Sequence, residues 1–374
     1  MNSFKEPGRA LLANWSINLD EIPLEQLDHY IAVENYLMDD EEPPLDVSNL
    51  EKVRDYLKSF HHLCEVEDWQ RAKAVIGCQL DTPTHEELHH QLGTWGYYQE
   101  QSELYKIFLN NLDGLHPFYK IAFLNGQGNI SYANGFYLKS IDYYQQALEL
   151  VQASPNSHQE GVILNNIGLA YLLLGKYDEA EDYFWQRLVI AWRNKELDQE
   201  GATLNNLGLV HHAKKEYHKA IKYQRRSLSI LRLTGDKSGE GSAWDSLGTN
   251  YAALGDYSKA FEYQQQHLAI TQELQDRRGE GEALCNMGIT LILLKRYSES
   301  LEFLDSSIKV CRTIGARSTE AYALKHLALL HLILGERTLA IKRCNRALSI
   351  ATELGIPLAK KCQELKGQLL SEQT

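Results

Sequence analysis

The stretch Leu164-Asn165-Asn166-Ile167-Gly168 decides the fold, because a related stretch stands every 40 residues after it. The counterparts are Leu204-Asn205-Asn206-Leu207-Gly208, Trp244-Asp245-Ser246-Leu247-Gly248, Leu284-Cys285-Asn286-Met287-Gly288 and Leu324-Lys325-His326-Leu327-Ala328. A second marker, Gly175-Lys176-Tyr177-Asp178-Glu179-Ala180, recurs at the same spacing. No insertion interrupts the series between about residues 158 and 357. A fixed period of this size indicates an array of stacked repeats.

Each 40-residue period carries the pattern of two amphipathic helices. In the first clear copy, Leu164, Ile167 and Tyr171 share one helical stripe, and Ala180 and Phe184 belong to a second. A glycine between the two stripes is typical of a helix end, where the backbone turns left-handed. The equivalent positions of two repeats hold Lys215 and Lys295 instead, so the sequence predicts turns there that are either strained or differently built.

Glycine also recurs inside the first helix of the repeats, at Gly168, Gly208, Gly248 and Gly288. A glycine in the middle of a helix costs about 1 kcal/mol relative to alanine, so four at equivalent positions need a packing reason. We expect the paired helix to approach closely at these points. The small residues expected opposite them are Ala180, Ala220 and Ala260.

The order of these residues resembles the tetratricopeptide repeat: a large apolar residue, Leu-Gly, Tyr, and then Gly-x-Tyr-x-x-Ala. The usual period of that family is 34, and the 40 residues here resemble its longer-helix members, the kinesin light chain and the Pins-type G-protein modulators. Gly128, Gly135 and Tyr137 indicate a further, degraded copy. The resemblance implies an all-α, right-handed superhelical solenoid of helix pairs that binds a protein or peptide in its concave groove.

The predicted organisation has four parts. Residues 1–50 form an acidic N-terminal extension, with eleven carboxylates against Lys5 and Arg9. Its acidic run at 39–44 is interpreted as a solvated linker, or else as a docking tail for a basic partner. Residues 51–117 are helical but outside the 40-residue period, and are interpreted as divergent repeats or as a separate small domain. The array covers 118–357, about six repeats, and 358–374 form a closing helix.

The amino-acid composition limits the classes of partner and the cellular compartments that suit this protein. The formal net charge is −12, which disfavours nucleic acid as a general partner. The longest apolar run, 327–334, is interrupted by His331 and is too short to span a bilayer. Six cysteines without a Cys-x-x-Cys pair are typical of a reducing cytoplasm. We therefore predict a cytoplasmic protein with no direct membrane insertion and no cofactor. The sequence does not determine its oligomeric state.

The residues before each Leu-Gly pair are the candidate binding site, because the first helices of such solenoids line the groove. Asparagine offers both a donor and an acceptor to the backbone of an extended peptide. The alternative is that each asparagine bonds within its own helix pair. The predicted groove row is Asn165, Asn166, Asn205, Asn206, Asp245, Asn286, Lys325 and His326, the last two favouring a negative partner group.

One string has the form of a metal site. His85-Glu86-Glu87-Leu88-His89 matches H-E-x-x-H, which on one helix would present two imidazoles to zinc with Glu86 as general base. The alternative is an ordinary helix start with Thr84 as N-cap and Glu87 three residues later. The glycine of the extended zinc motif is displaced to Gly93, and we predict no metal here.

A basic segment is the last candidate surface. Residues 198–237 carry eight Lys and Arg against four Asp and Glu, with Lys222, Arg225, Arg226 and Arg232 on the second helix. They are interpreted as a solvated ridge, or else as a contact for an acidic partner.

The predicted function is therefore a non-enzymatic scaffold, adaptor or assembly factor that holds a peptide or helix in the groove. Three alternatives remain: a Rap-like regulator switched by a peptide, with its output in the N-terminal helices; a zinc hydrolase at His85 and His89; and a structural subunit that uses the convex face.

Overall fold

The computed structural model describes residues 4–15, 17–39, 41–44, 46–82, 85–111, 117–153, 157–354 and 356–371. The chain separates into two compact units, Met1–Ser154 and Pro155–Thr374. Over the described ranges both units are helical, apart from an isolated antiparallel bridge between Gln79 and Glu87. The predicted all-α solenoid of helix pairs is confirmed. The division at residue 117 stays a prediction.

The N-terminal unit packs its helices around one aromatic-rich core that includes Phe60, Phe108 and Phe123. Side-chain caps fix two of the helix starts, since Ser48 accepts from the N–H of Glu51 and Asp68 from that of Arg71. The helices are α1 Glu6–Trp15, α2 Leu24–Met38, α3 Asn49–Lys52, α4 Arg54–Glu65, α5 Trp69–Ile76, α6 Leu88–Thr94, α7 Tyr98–Asn110, α8 Pro117–Ala133 and α9 Tyr137–Ala153, with a 3₁₀ turn at Leu19–Glu21.

The acidic leader is packed into this unit over much of its length. The hydroxyl of Tyr56 accepts the N–H of Gly8 at 2.9 Å and donates to the carbonyl of Phe4 at 2.6 Å. Lys5 Nζ bridges Asp39 at 3.1 Å and Asp55 at 2.9 Å. The interpretation of 39–44 as a solvated linker therefore needs correction at Asp39, whose carboxylate is held by a buried lysine.

The second unit is a regular stack of helix pairs. Each first helix packs on the second helix of its own repeat, and that second helix packs on the first helix of the next repeat. The pairs are α10 Ser157–Leu173 with α11 Tyr177–Asn194, α12 Leu197–Ala213 with α13 Tyr217–Thr234, α14 Lys237–Ala253 with α15 Tyr257–Glu273, α16 Arg277–Leu293 with α17 Tyr297–Ile314, and α18 Arg317–Ile333 with α19 Arg337–Glu353.

The last helix, α20 Leu358–Ser371, packs on α19 and touches α18. Cys362 and Leu369 of α20 are buried, and the thiol of Cys344 on α19 donates to the carbonyl of Cys362 at 3.3 Å. All six cysteines are free. Among the described residues, no helix combines the length and apolar character that a membrane span requires.

The turns inside the helix pairs adopt the left-handed backbone predicted for them. Gly175, Gly255 and Gly335 have φ between 76° and 82°. Lys215 and Lys295 take the same conformation, with φ of 62° and 60°. A side chain in this region costs about 1–2 kcal/mol, so the two lysine turns are strained as expected.

The glycines inside the first helices mark close approach of the paired helix. The predicted Ala260 does contact Gly248, with its carbonyl oxygen 3.3 Å from a built Cβ, but the nearest side chain at each glycine belongs to another residue. A Cβ built on Gly168 would lie 2.7 Å from Phe184, and one on Gly288 would lie 2.6 Å from Leu304. Gly208 and Gly248 face Gln224 and Gln264 in the same way. The partner is thus the residue four positions after the predicted alanine, because the longer side chain reaches across the interface.

Candidate functional site

The predicted groove row lies on the first helices of the five repeats of the second unit. Asn205 is buried, and the other seven residues are half-buried. Asn165 and Asn166 are on α10, Asn205 and Asn206 on α12, Asp245 on α14, Asn286 on α16, and Lys325 and His326 on α18.

Two hydrogen bonds join this row from one repeat to the next. The side-chain amide of Asn206 donates to Oδ1 of Asn165 at 2.9 Å. The amide of Asn286 donates to Oδ1 of Asp245 at 3.0 Å, in the equivalent geometry two repeats later. These amides bond across the repeat boundary, whereas the alternative interpretation placed their bonds inside one helix pair. The row is therefore a linked structure whose amides are held in place.

A pocket of about 270 Å³ opens where the row passes between α10, α12 and α14. This space is open because the side chains of Val162, Ala202 and Ser242 are small. The equivalent positions of the next repeats carry the larger side chains of Glu282 and Tyr322. The full lining is Val162, Asn165, Arg187, Gln199, Ala202, Thr203, Asn205, Asn206, Leu231, Gly239 and Ser242.

The pocket contains a buried arginine. The side chain of Arg187, on the second helix α11, is 3% exposed. Its Nη2 donates to Oε1 of Gln199. Its Nη1 lies 4.0 Å from Oε2 of Glu196, beyond hydrogen-bond distance, and has no hydrogen-bond acceptor among the described residues. Burial lowers the pKa of Arg187, with Glu196 and Asp198 opposing that shift.

An acidic cluster follows one repeat later. Nδ1 of the buried His267 lies 3.4 Å from Oδ1 of Asp245. Glu282, on the next first helix, has its pKa raised, mainly by burial and secondly by the charge of Asp245. The row is therefore negative at α14 and α16, and this favours a positive ligand group there.

Lys325 and His326 differ from the electrostatic role predicted for them. Burial lowers the pKa of Lys325, and Lys361 of α20 lowers it further. Burial also lowers the pKa of His326 to about 3, with Lys325 and Lys361 adding to the shift. His326 is thus neutral at physiological pH and supplies no positive charge. The basic character at this end comes from Lys325 and Lys361.

The structure separates the residues of the H-E-x-x-H string. The helix α6 begins at Leu88, and His85 lies before it with a φ of 49°, so His85 and His89 do not share a helix face. Both ring nitrogens of His89 are bonded, to Tyr105 Oη at 2.9 Å and to Glu87 Oε2 at 2.8 Å. His90 completes a cluster of three possible ligands with Glu87 and His89. Thr84, the predicted N-cap, lies outside the described residues.

The basic segment is mostly neutralised by its own neighbours. Arg226 pairs with the buried Glu200 at 2.7 Å, and Arg232 pairs with the buried Glu240 at 2.7 Å. Arg225 donates to the hydroxyl of Tyr251 at 2.6 Å. These contacts favour the solvated-ridge interpretation, because the guanidinium groups already bind buried acceptors, within one repeat at Glu200 and across the next repeat boundary at Glu240 and Tyr251.

Arg187 and His267 are the residues that the sequence analysis missed. They occupy equivalent positions on second helices, where the other repeats have Ala147, Ser227, Ser307 and Ala347. His267 reaches the groove row at Asp245, and Arg187 lines the pocket that Asn165 also lines. The available signal was a large polar residue at a position otherwise reserved for alanine or serine.

Comparison with known proteins agrees with this geometry. The tetratricopeptide repeat family matches residues 120–188 and 199–273. No curated protein sequence matches the chain. Many solved structures share the fold, and three of them are Rap proteins. The apo form of RapI is 14% identical with a TM-score of 0.60, covering 71% of this chain and 96% of that one.

The other two structures cover nearly the whole chain. A Rap protein complexed with competence and sporulation factor is 15% identical with a TM-score of 0.56, covering 99% of this chain and 100% of that one. The Rap conjugation gene regulator of the plasmid pLS20, in complex with the Phr* peptide, is 15% identical with a TM-score of 0.59, covering 94% of each.

Stacked helix pairs joined by a row of polar first-helix residues define an α-solenoid repeat protein. Within residues 120–188 and 199–273 these helix pairs match the tetratricopeptide repeat.

Proposed function

We propose that this protein is a non-enzymatic peptide-binding regulator, and that the groove row holds the backbone of an extended peptide. The observation that carries the proposal is the pair of equivalent bonds from Asn206 to Asn165 and from Asn286 to Asp245. Two of the similar structures, described as complexes with a factor and with a peptide, support the choice of ligand.

The bonded amides are suited to backbone recognition. Each donates one amide hydrogen to its neighbour, and a primary amide has a second hydrogen and a carbonyl oxygen for another partner. Because the side chains are already fixed, little rotamer entropy is lost when a peptide binds. The residues around the row then select the peptide side chains. A positively charged side chain is favoured beside Asp245 and Glu282.

The same proposal covers two more specific roles, an adaptor or assembly factor and a Rap-like regulator. An adaptor or assembly factor would use the row to hold a partner segment, and a Rap-like regulator would pass peptide binding on to the N-terminal helices. The free cysteines support a reducing compartment such as the cytoplasm.

Affinity selection with the purified full-length chain tests the proposal. The probe is a library of random, N-acetylated hexapeptides, quantified by mass spectrometry. We expect the wild type to enrich a defined subset, and the triple variant Asn166→Ala, Asn206→Ala, Asn286→Ala to lose at least about tenfold in affinity for it.

The matched control replaces three exposed amides at equivalent positions on second helices, Gln146→Ala, Gln186→Ala and Gln266→Ala. It should bind as the wild type does. Circular dichroism should show unchanged helicity in both variants. Equal loss in the two variants, or undiminished binding by the groove-row variant, would rule out the row as the peptide site.

A further inference from the structure

An exposed stripe of large apolar side chains runs along α11, a second helix that contributes nothing to the groove row. Trp185, Val189 and Trp192 are 37%, 46% and 43% exposed. Their spacing of four and then three residues places them on one face of the helix. The two indole rings lie edge to face with centroids 6.3 Å apart, and Trp185 also contacts the ring of Tyr223 on α13 at 6.4 Å. The stripe is therefore an ordered aromatic surface in contact with solvent.

The other repeats show that the fold does not require this stripe. The position of Trp185 is exposed in each repeat, and elsewhere it holds Gln145, Arg225, Gln265, Asp305 and Asn345. The position of Trp192 is also exposed, and elsewhere it holds glutamine, arginine or threonine. Exposed apolar patches and clustered tryptophans are typical of protein–protein interfaces. The stripe thus indicates a contact with another polypeptide.

Charged residues flank the stripe in a self-complementary order. Asp182 lies before it, and Arg193 lies at its end, eleven residues later. Eleven residues are about three turns of an α-helix, so the two charges lie on the same side of the stripe. Both are exposed, whereas the nearby Asp178 and Glu181 are ion-paired with Lys214. A partner helix with the same residues in the reverse direction would place opposite charges together at both ends.

We propose that α11 packs antiparallel against α11 of a second copy of this chain, about a two-fold axis. In such an interface each contact occurs twice, with the roles of the two residues exchanged. If the axis passes midway between Trp185 and Trp192, each Trp185 packs on the other tryptophan of the second copy. Asp182 and Arg193 then lie about 10 Å and about 7 Å from the axis, a difference that an arginine side chain spans. One arrangement therefore satisfies both the aromatic stripe and the charges.

The size of the surface sets the expected strength of this dimer. A single helix face is smaller than the ~800 Å² per partner of a standard interface, so we expect reversible association with a Kd of about 1–100 μM. The contact uses residues of a second helix, and it does not depend on the function proposed for the groove row.

Sedimentation velocity of the purified full-length chain, from about 1 to about 200 μM, tests the proposal. The wild type should change from monomer to dimer over this range. The double variant Trp185→Gln, Trp192→Gln introduces the residue that the repeat of α15 already has at both positions, and should weaken dimerisation at least about tenfold. The matched control is Leu339→Gln, which removes an apolar side chain, 42% exposed, from α19 and should dimerise as the wild type does.

A charge exchange tests the antiparallel arrangement. Asp182→Lys and Arg193→Glu each bring like charges together at both ends of the interface. Each variant alone should therefore dimerise at least about tenfold more weakly than the wild type. An equimolar mixture of the two should recover association, because every charge in the mixed dimer then faces its opposite. Circular dichroism should show unchanged helicity in all variants.

Three results would contradict this inference. A wild-type chain that stays monomeric at about 200 μM would overturn it and leave the stripe to a different protein. Dimerisation that is unchanged in the tryptophan variant would place the interface elsewhere. Loss of association in both charge variants without recovery in their mixture would overturn the antiparallel arrangement. Peptide binding is measured separately, so its failure would contradict the proposed function and leave the dimer in place.

Discussion

Asn206 on α12 donates its side-chain amide to Oδ1 of Asn165 on α10 at 2.9 Å, across the boundary between two repeats. The contact links residues 41 positions apart, so it couples the first helices of neighbouring helix pairs. It is the first of two such bonds, and no peptide is needed to form it.

This coupling should be measurable as an interaction free energy. In a double-mutant cycle of Asn165→Ala and Asn206→Ala, we expect a coupling of about 0.5–1.5 kcal/mol in the free energy of unfolding. Urea denaturation followed by circular dichroism gives the four values. The same cycle on Gln186 and Gln266, exposed on separate second helices, should give none; additive effects for the asparagine pair would mean that the bond is not formed in solution.

The two lysine turns should be sites of easy stabilisation. Lys215→Gly and Lys295→Gly remove a left-handed side chain that costs about 1–2 kcal/mol, and add about 0.5–1 kcal/mol of backbone entropy cost. Each should therefore raise the free energy of unfolding by about 0.5–1 kcal/mol. The reverse change, Gly255→Lys, should lower it by a similar amount. Stability that moves the other way would indicate that the turns relax out of the left-handed region.

The first-helix glycines should differ in their tolerance of a methyl group. A Cβ at position 288 would lie 2.6 Å from Cγ of Leu304, whereas at position 248 the nearest atom is Cγ of Gln264 at 3.1 Å. We expect Gly288→Ala to cost about 1–3 kcal/mol through overpacking. Gly248→Ala should stay within about 1 kcal/mol of the wild type, because the gain in helix propensity offsets the contact. Thermal and urea unfolding compare the pair; equal effects would contradict the packing described.

Protonation of His326 should make the second unit less stable in acid. Burial lowers its pKa from 6.5 to about 3, so the fold favours the neutral ring. That contribution is fully present above pH 6.5 and is lost as the pH falls toward 3. We expect His326→Gln to flatten the decline in the free energy of unfolding between pH 7 and pH 4.5. His218→Gln, at an exposed position on α13, is the control; identical pH profiles for wild type and His326→Gln would show that the ring is not buried as described.

The local sequence determined the helix pairs and their turns. A 40-residue period leaves little freedom, because each repeat must bury its stripe against the next one. Gly175 and Gly255 mark the left-handed turns directly, and the lysines at equivalent positions inherit the same backbone from the surrounding repeat. The groove row could be nominated for the same reason, since its residues share one position in the period.

The contacts that give the row its chemistry depended on the tertiary structure. The spacing of Asn165 and Asn206 does not show that one donates to the other, because side chains 41 positions apart meet only after the repeats stack. Nor does it show that Arg187, from a second helix, reaches a pocket made by three first helices. The protonation of His326 likewise depends on the fold: burial, with Lys325 and Lys361 nearby, lowers the pKa of the ring, whereas its preference for a negative partner group stays a prediction. Sequence periodicity specified the scaffold, while desolvation and contacts between repeats decided which polar groups remain for a ligand.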